Sequence, residues 1–203
     1  MPIKDITIDD KLLQVAKMEF LLHGYEETSV NKICENAKIT TGALFRRYKN
    51  KKELYLALVM PTFMFMLGLF REHHNVLLSK QSLDCILNGS ELGQRNFIDY
   101  IYANFDEFKL IIVCSNQKMF AGFLDSFVEI ETESMVFMVE KYNPTYFESR
   151  AILIETVHII TSAYFNALFE VVRHEMPKED AYIYIRHIED FYKTGWLKIL
   201  DKQ

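Results

Sequence analysis

Six Lys or Arg residues fall between Lys38 and Lys52 (Lys38, Arg46, Arg47, Lys49, Lys51 and Lys52), with no Asp or Glu among them. Cations at this density suit an extended, repeating anion, and the phosphate backbone of DNA is the natural partner. The chain around this island is acidic, with a formal net charge of -5. Residues 1–55 carry 10 Lys/Arg against 8 Asp/Glu, a net of +2, and residues 56–203 carry 13 against 20, a net of -7. This asymmetry divides the chain into a front part, 1–55, that meets an anion and a back part, 56–203, that does not.

Other chemistry is sparsely supplied. Glu155-x-x-His158 has the spacing of half a di-iron site, but such a site needs a second pair and two more carboxylates, and no second ExxH occurs. Cys34, Cys85 and Cys114 are widely spaced in apolar surroundings and form no CxxC or Cys/His pattern, so they read as reduced, buried thiols of a cytoplasmic protein. No GxSxG, P-loop, GxGxxG or Cys–His nucleophile pattern is present. The expectation is a protein with no catalytic residue, no metal and no cofactor. The first residues, MPIKDITIDD, lack the apolar core of a signal peptide. Leu54 to Phe70 is free of charge over 17 residues but contains Pro61, and it reads as a buried helix rather than a membrane span.

The basic island needs helices to present it. Gly and Pro number only 7 and 4, and apolar residues recur at three- and four-residue spacing almost throughout, so the chain reads as all-α. A first helix over 8–23 buries Leu12, Val15, Ala16 and Phe20, with Met18 a further candidate, and ends at Gly24 in a left-handed cap. Thr28 or Ser29 caps a second helix that buries Val30, Ile33, Cys34 and Ala37. Thr40 caps a third helix of about two turns, with Leu44 and Tyr48 on its inner face. Asn50 caps a long fourth helix, kinked or broken at Pro61. Further breaks are expected at 79–81, 88–91, 104–106, 115–118, 143–144 and 176–177. The last two helices, 145–175 and 178–201, form an antiparallel hairpin.

Two short helices joined by a tight turn make a helix-turn-helix, whose second helix enters the major groove. Thr40, Thr41, Gly42 and Ala43 open that helix with small side chains that let backbone N–H groups approach phosphates and base edges. Phe45, Arg46 and Arg47 take its outward faces, where an arginine grips guanine and an aromatic edge packs on a thymine methyl. Lys51 is placed for a phosphate, and Ser29 and Asn31 complete the candidate DNA-binding set.

These residues resemble the DNA-binding domain of the TetR family of bacterial transcriptional regulators over residues 8–55. The likeness rests on Phe20-x-x-x-Gly24-Tyr25, Thr28-Ser29-Val30, Ile33-Cys34-x-x-Ala37, Ile39-Thr40-x-Gly42-x-Leu44-Phe45-x-x-Tyr48 and Lys51-x-x-Leu54. Lys38 departs from it, standing where the family most often has Gly. The resemblance implies an N-terminal three-helix helix-turn-helix domain followed by a helical bundle that binds a small effector and dimerises through its last two helices.

The residues of the back part support both roles. Stripes of Ile152, Val157, Ile160, Tyr164, Leu168 and Val171, and of Ala181, Ile185, Ile188, Tyr192, Trp196 and Ile199, suit a two-fold interface; Ile160, Leu168, Ile188, Tyr192 and Trp196 are its candidate members. Phe63, Met64, Phe65, Met66, Phe97, Tyr100, Phe120, Phe123, Phe127, Met135, Phe137 and Met138 supply walls for an adaptable apolar pocket. Its candidate lining is Phe65, Met66, Phe97, Tyr100, Phe120, Phe123, Phe127, Glu155, His158 and Tyr164. The expected function is a ligand-responsive regulator, a repressor, that binds palindromic operator DNA as a homodimer and is released by a small apolar or amphipathic effector. The competing reading is a helical ligand-binding or catalytic bundle whose helix-turn-helix contacts protein.

Overall fold

The computed structural model describes residues 6–79 and 90–201; Cys85 and the breaks expected near residues 80 and 88 lie outside them. Among the described residues the regular elements are helices: α1 (Ile6–Glu27), α2 (Val30–Ala37), α3 (Thr41–Phe45), α4 (Lys51–Ser79), α5 (Ser90–Ala103), α6 (Phe105–Lys109), a π-helical turn (Leu110–Cys114), α7 (Gln117–Tyr142), α8 (Arg150–Arg173) and α9 (Lys178–Leu200). The all-α fold with a front helix-turn-helix and a following bundle is the one the sequence leads one to expect. The chain divides into two compact units, Met1–Met64 with Asn104–Phe120, and Phe65–Ala103 with Ala121–Gln203.

In the first unit, α1 buries Leu12, Ala16 and Phe20, spaced by four residues along one face, while Met18 is exposed. Gly24 interrupts α1 at φ 73°, ψ 171°, a conformation that favours glycine. The chain then makes one more turn before α2. The Phe20 ring meets Tyr55 edge-on at 4.9 Å, and Tyr25 meets Tyr55 at 5.1 Å. The segment from Asn104 onward closes this core. Tyr55 Oη donates to Leu110 O at 2.5 Å, Lys17 Nζ lies 2.8 Å from Glu107 and 3.1 Å from Asp106, and Asn116 Nδ2 donates to Glu26 Oε1 at 2.8 Å. The sequence pattern did not anticipate the π-helical turn, whose Leu110, Ile111, Ile112 and Cys114 are buried.

Helix α4 runs from Lys51 to Ser79 through Pro61 without the interruption that was one of the two expectations there. Pro61 is exposed, so its ring stands on the outer face of the helix and displaces no core contact.

In the second unit, Phe70, Phe127 and Phe165 form a triangle of rings 5.4–5.5 Å apart, with Phe169 6.2 Å from Phe127. A second cluster gathers Met135, Met138, Val139, Leu153, Val157 and Leu200, against which Trp196 and Ile199 pack. Asn143 Nδ2 donates to the carbonyls of Ile199 and Asp201, satisfying the end of α9. Helix α8 starts at Arg150 rather than at residue 145. Pro144 lies in the preceding non-helical stretch, and the Ser149 side chain caps the helix by accepting from Ile152 N at 3.3 Å.

Candidate nucleic-acid interface and bundle interior

The turn between α2 and α3 is built from three local features. Ser29 stands at the N-cap of α2 without a side-chain cap bond, and its neighbour Thr28 turns back to donate to Gly24 O and Glu19 O. Lys38 adopts the left-handed conformation, φ 58°, ψ 43°, at the position where the resemblance leads one to expect Gly. Thr40 caps α3, its hydroxyl accepting from Ala43 N at 3.1 Å, and Leu44 anchors the helix in the core. An α-helix of one turn has little stability of its own, so these attachments determine where it points.

They leave one face of α3 open. Ser29, Asn31, Thr40, Gly42, Phe45 and Arg46 are exposed, and Thr41 and Ala43 are half-buried. A side chain added at Gly42 would meet nothing within 4 Å, so an outside surface can approach the backbone there. Arg46 bonds its own helix, Nε to Gly42 O at 3.3 Å, and its side chain remains exposed.

Two members of the basic island behave differently. Arg47 pairs through Nε with Asp9 Oδ1 of α1 and donates from Nη1 to Ala43 O at 3.1 Å. Lys51 donates to Glu26 O at 2.9 Å and Thr28 O at 3.2 Å, with its ammonium 4.7 Å above the Tyr25 ring. It neutralises carbonyls at the end of α1. Asn50 caps α4 as expected, accepting from Glu53 N at 2.9 Å.

The second unit sets the Phe97 and Phe127 rings 6.3 Å apart and Tyr164 5.4 Å from Phe165, which itself meets Phe127 at 5.5 Å. Met66, Phe123 and Phe127 are buried, Phe97, Tyr100 and Tyr164 half-buried, and Phe65 is exposed while stacking on Tyr100 at 4.9 Å. Phe120 belongs to the first unit. Glu155 and His158 both face solvent.

The interior polar groups are Tyr164, which the sequence reading included, and His74 and Glu131, which it did not single out. His74 Nε2 of α4 lies 2.5 Å from Glu131 Oε2 of α7, with little of either side chain exposed. Burial alone lowers the His74 pKa, but the hydrogen bond and charge of Glu131 outweigh it and raise the value above the ordinary 6.5. Tyr164 of α8 feels Glu189 of α9 and Glu131; burial first, then these carboxylates, keep its phenol neutral. The Phe70-x-x-x-His74 spacing, which puts the imidazole 4.4 Å from a core ring, was the available signal. Among the described residues no three His, Cys, Asp or Glu side chains gather where they would hold a metal. A shallow open groove between α7 and α8, lined by Thr132, Val136, Phe137, Arg150 and Ile154, shares only Phe137 with the expected pocket walls and none of the candidate lining residues.

Of the candidate interface residues, Leu168 is in the bundle's own core, Ile160 and Ile188 are half-buried, Tyr192 meets Tyr164 at 5.0 Å, and Trp196 packs on the second cluster. The apolar side chains that α8 and α9 do expose are Ile152, Ile154, Ile159, Ile183, Phe191 and Leu197. Helices α4 (over Lys51–Val76) and α8 are long and apolar enough to cross a membrane by length and composition, and only 33% of the most apolar window of each is buried.

Residues 12–58 match the family model for bacterial regulatory proteins of the tetR family. No curated protein matches the chain. Among solved structures, a TerR/AcrR-family transcriptional regulator from Aquifex aeolicus VF5 superposes with a TM-score of 0.56 at 17% identity, covering 93% of this chain and 99% of that one. A TetR family transcriptional regulator from Chloroflexus aurantiacus J-10-FL gives a TM-score of 0.52 at 14% identity, covering 92% of this chain and 91% of that one. The chain has the fold of a TetR-family transcriptional regulator, with that family's helix-turn-helix at its front.

Proposed function

We propose that this TetR-type chain is a ligand-responsive repressor that binds palindromic operator DNA as a homodimer and is released by a small apolar or amphipathic effector. The observation that carries the reading is the open face of α3, where Thr40, Gly42, Phe45 and Arg46 are exposed on a helix fixed by a cap, a left-handed turn and one core anchor. Ser29, Asn31, Thr41 and Ala43 flank these residues. Residues 1–55 serve as the DNA-binding domain and 56–203 as the effector-binding and dimerisation domain of a cytoplasmic, non-enzymatic protein.

Two further observations support the remaining parts of the reading. The exposed Ile152, Ile159, Ile183 and Phe191 leave apolar surface on α8 and α9 that a second copy would cover. The buried aromatic rings beside His74, Glu131 and Tyr164 offer apolar walls with a few polar groups, the composition of an effector site. In a dimer the two α3 helices would enter successive major grooves roughly 34–36 Å apart. An effector that changes this separation needs a coupling of only about 1–3 kcal/mol to weaken operator binding roughly 5- to 150-fold.

The test is selection of duplexes from a random pool by the full chain, followed by titration of the selected and a scrambled duplex over a range of salt. A palindromic selected site, bound with a steep salt dependence, is the expected result. Equal binding to both duplexes, or none to either at low salt, overturns the reading.

A further inference from the structure

We infer that Arg47 is a positioning residue, which holds α3 against α1 through Asp9, and that the free positive charge of the recognition surface lies on Arg46 and Lys52. This rests on the DNA-binding reading above. The island that looks uniform in sequence separates into two sets in space. Arg47 and its partner Asp9 are only 20% and 14% exposed, whereas Arg46 and Lys52 face solvent; Lys49 is also exposed, but its ammonium lies 3.8 Å from the Glu53 carboxylate.

The geometry explains the division. A guanidinium presents five N–H donors in a rigid fork, so it can bind two partners at once and fix the angle between them. Here one partner is a carboxylate in the first turn of α1 and the other is the Ala43 carbonyl of α3. Helix α3 spans five residues, and its N-terminal end is held by Thr40. Arg47, two residues beyond its last position, ties the other end down. The ion pair also has no net charge, so bringing it to a phosphate displaces few counterions. Lys51 is removed from the same role by its two carbonyl partners.

The experiment is a double-mutant cycle of Asp9→Asn and Arg47→Gln, with Arg46→Gln as control, on the selected and scrambled duplexes at a temperature where circular dichroism shows every variant folded. Each cycle variant should lose about tenfold in the ratio of selected to scrambled affinity, the equivalent of one base contact, and the double variant should lose no more than either single. Arg47→Gln should keep the wild-type salt slope, while Arg46→Gln should reduce it by about 0.9. The inference is overturned if Arg47→Gln also flattens the slope by about 0.9, or if Asp9→Asn tightens binding, since either result means that Arg47 touches phosphate directly. It is equally overturned if the folded variants keep full discrimination, which would make the pair a matter of stability only. A wild-type chain that selects no duplex defeats the DNA-binding reading itself, and this inference with it.

Discussion

His74 of α4 and Glu131 of α7 form an ion pair at 2.5 Å inside the bundle, in contact with the aromatic core through the Phe70 ring. Because the folded protein raises the His74 pKa, the stability this pair contributes is complete below about pH 6.5, where the imidazole is protonated in both states. It is lost as pH rises through the raised folded value. Replacing Glu131 by Gln should therefore cost about 1.5–3 kcal/mol at pH 6 and progressively less at alkaline pH. Urea melts of the two proteins from pH 5 to 9 check this, and a pH-independent difference would contradict it.

The hydroxyl of Tyr55 is buried and bonded to Leu110 O at the start of the π-helical turn. Tyr55→Phe keeps the ring contacts with Phe20 and Tyr25 but leaves that carbonyl without its donor. A loss of about 1–3 kcal/mol is expected by chemical denaturation. A neutral result would mean that the carbonyl finds another donor at once.

Thr40 caps the N-terminus of α3 with its side chain. Thr40→Ala should destabilise the protein by about 1 kcal/mol, while Thr40→Ser should be close to neutral, since either hydroxyl accepts from Ala43 N. Equal losses for the two would assign the effect to the lost methyl group instead of the cap. In the proposed function, the alanine variant should also weaken binding to the selected duplex.

Ile159 and Phe191 are 60% and 74% exposed in the single chain. A charge at either site should leave the protomer folded, since most of each side chain already faces water. In a homodimer formed through α8 and α9 the same charge would be buried without a partner. Ile159→Glu and Phe191→Glu should each shift the protein from dimer to monomer in sedimentation velocity at micromolar concentration. A wild-type chain that sediments as a monomer would refute the interface.

Much of the helix-turn-helix was legible because its signals are local. Thr40 caps three residues ahead, Leu44 repeats on the inward face, Gly24 stands where φ is positive, and Asn50 caps α4; each acts within one turn of its own position. The bundle was less legible because helical periodicity marks apolar residues without naming their partners. Leu168 and Tyr164 share a stripe, yet one lies in the chain's own core and the other meets Tyr192. Glu155 and His158 have the one-turn spacing of a ligand pair, but their positions on the helix turn both to solvent.

The sequence by itself determined that the chain is helical, that its front end is a capped helix pair, and that positive charge collects beyond the second of these helices. Propensity, caps and local charge depend on near neighbours, so one dimension is enough to read them. Only the tertiary structure decided which charges are free. Arg46 and Arg47 are adjacent and chemically identical, yet Asp9, 38 residues before Arg47, takes one and leaves the other exposed. The same holds for His74 and Glu131, 57 residues apart in sequence and paired at 2.5 Å. Ion pairing inside a fold depends on distance in space, and that distance exists only once the helices have packed.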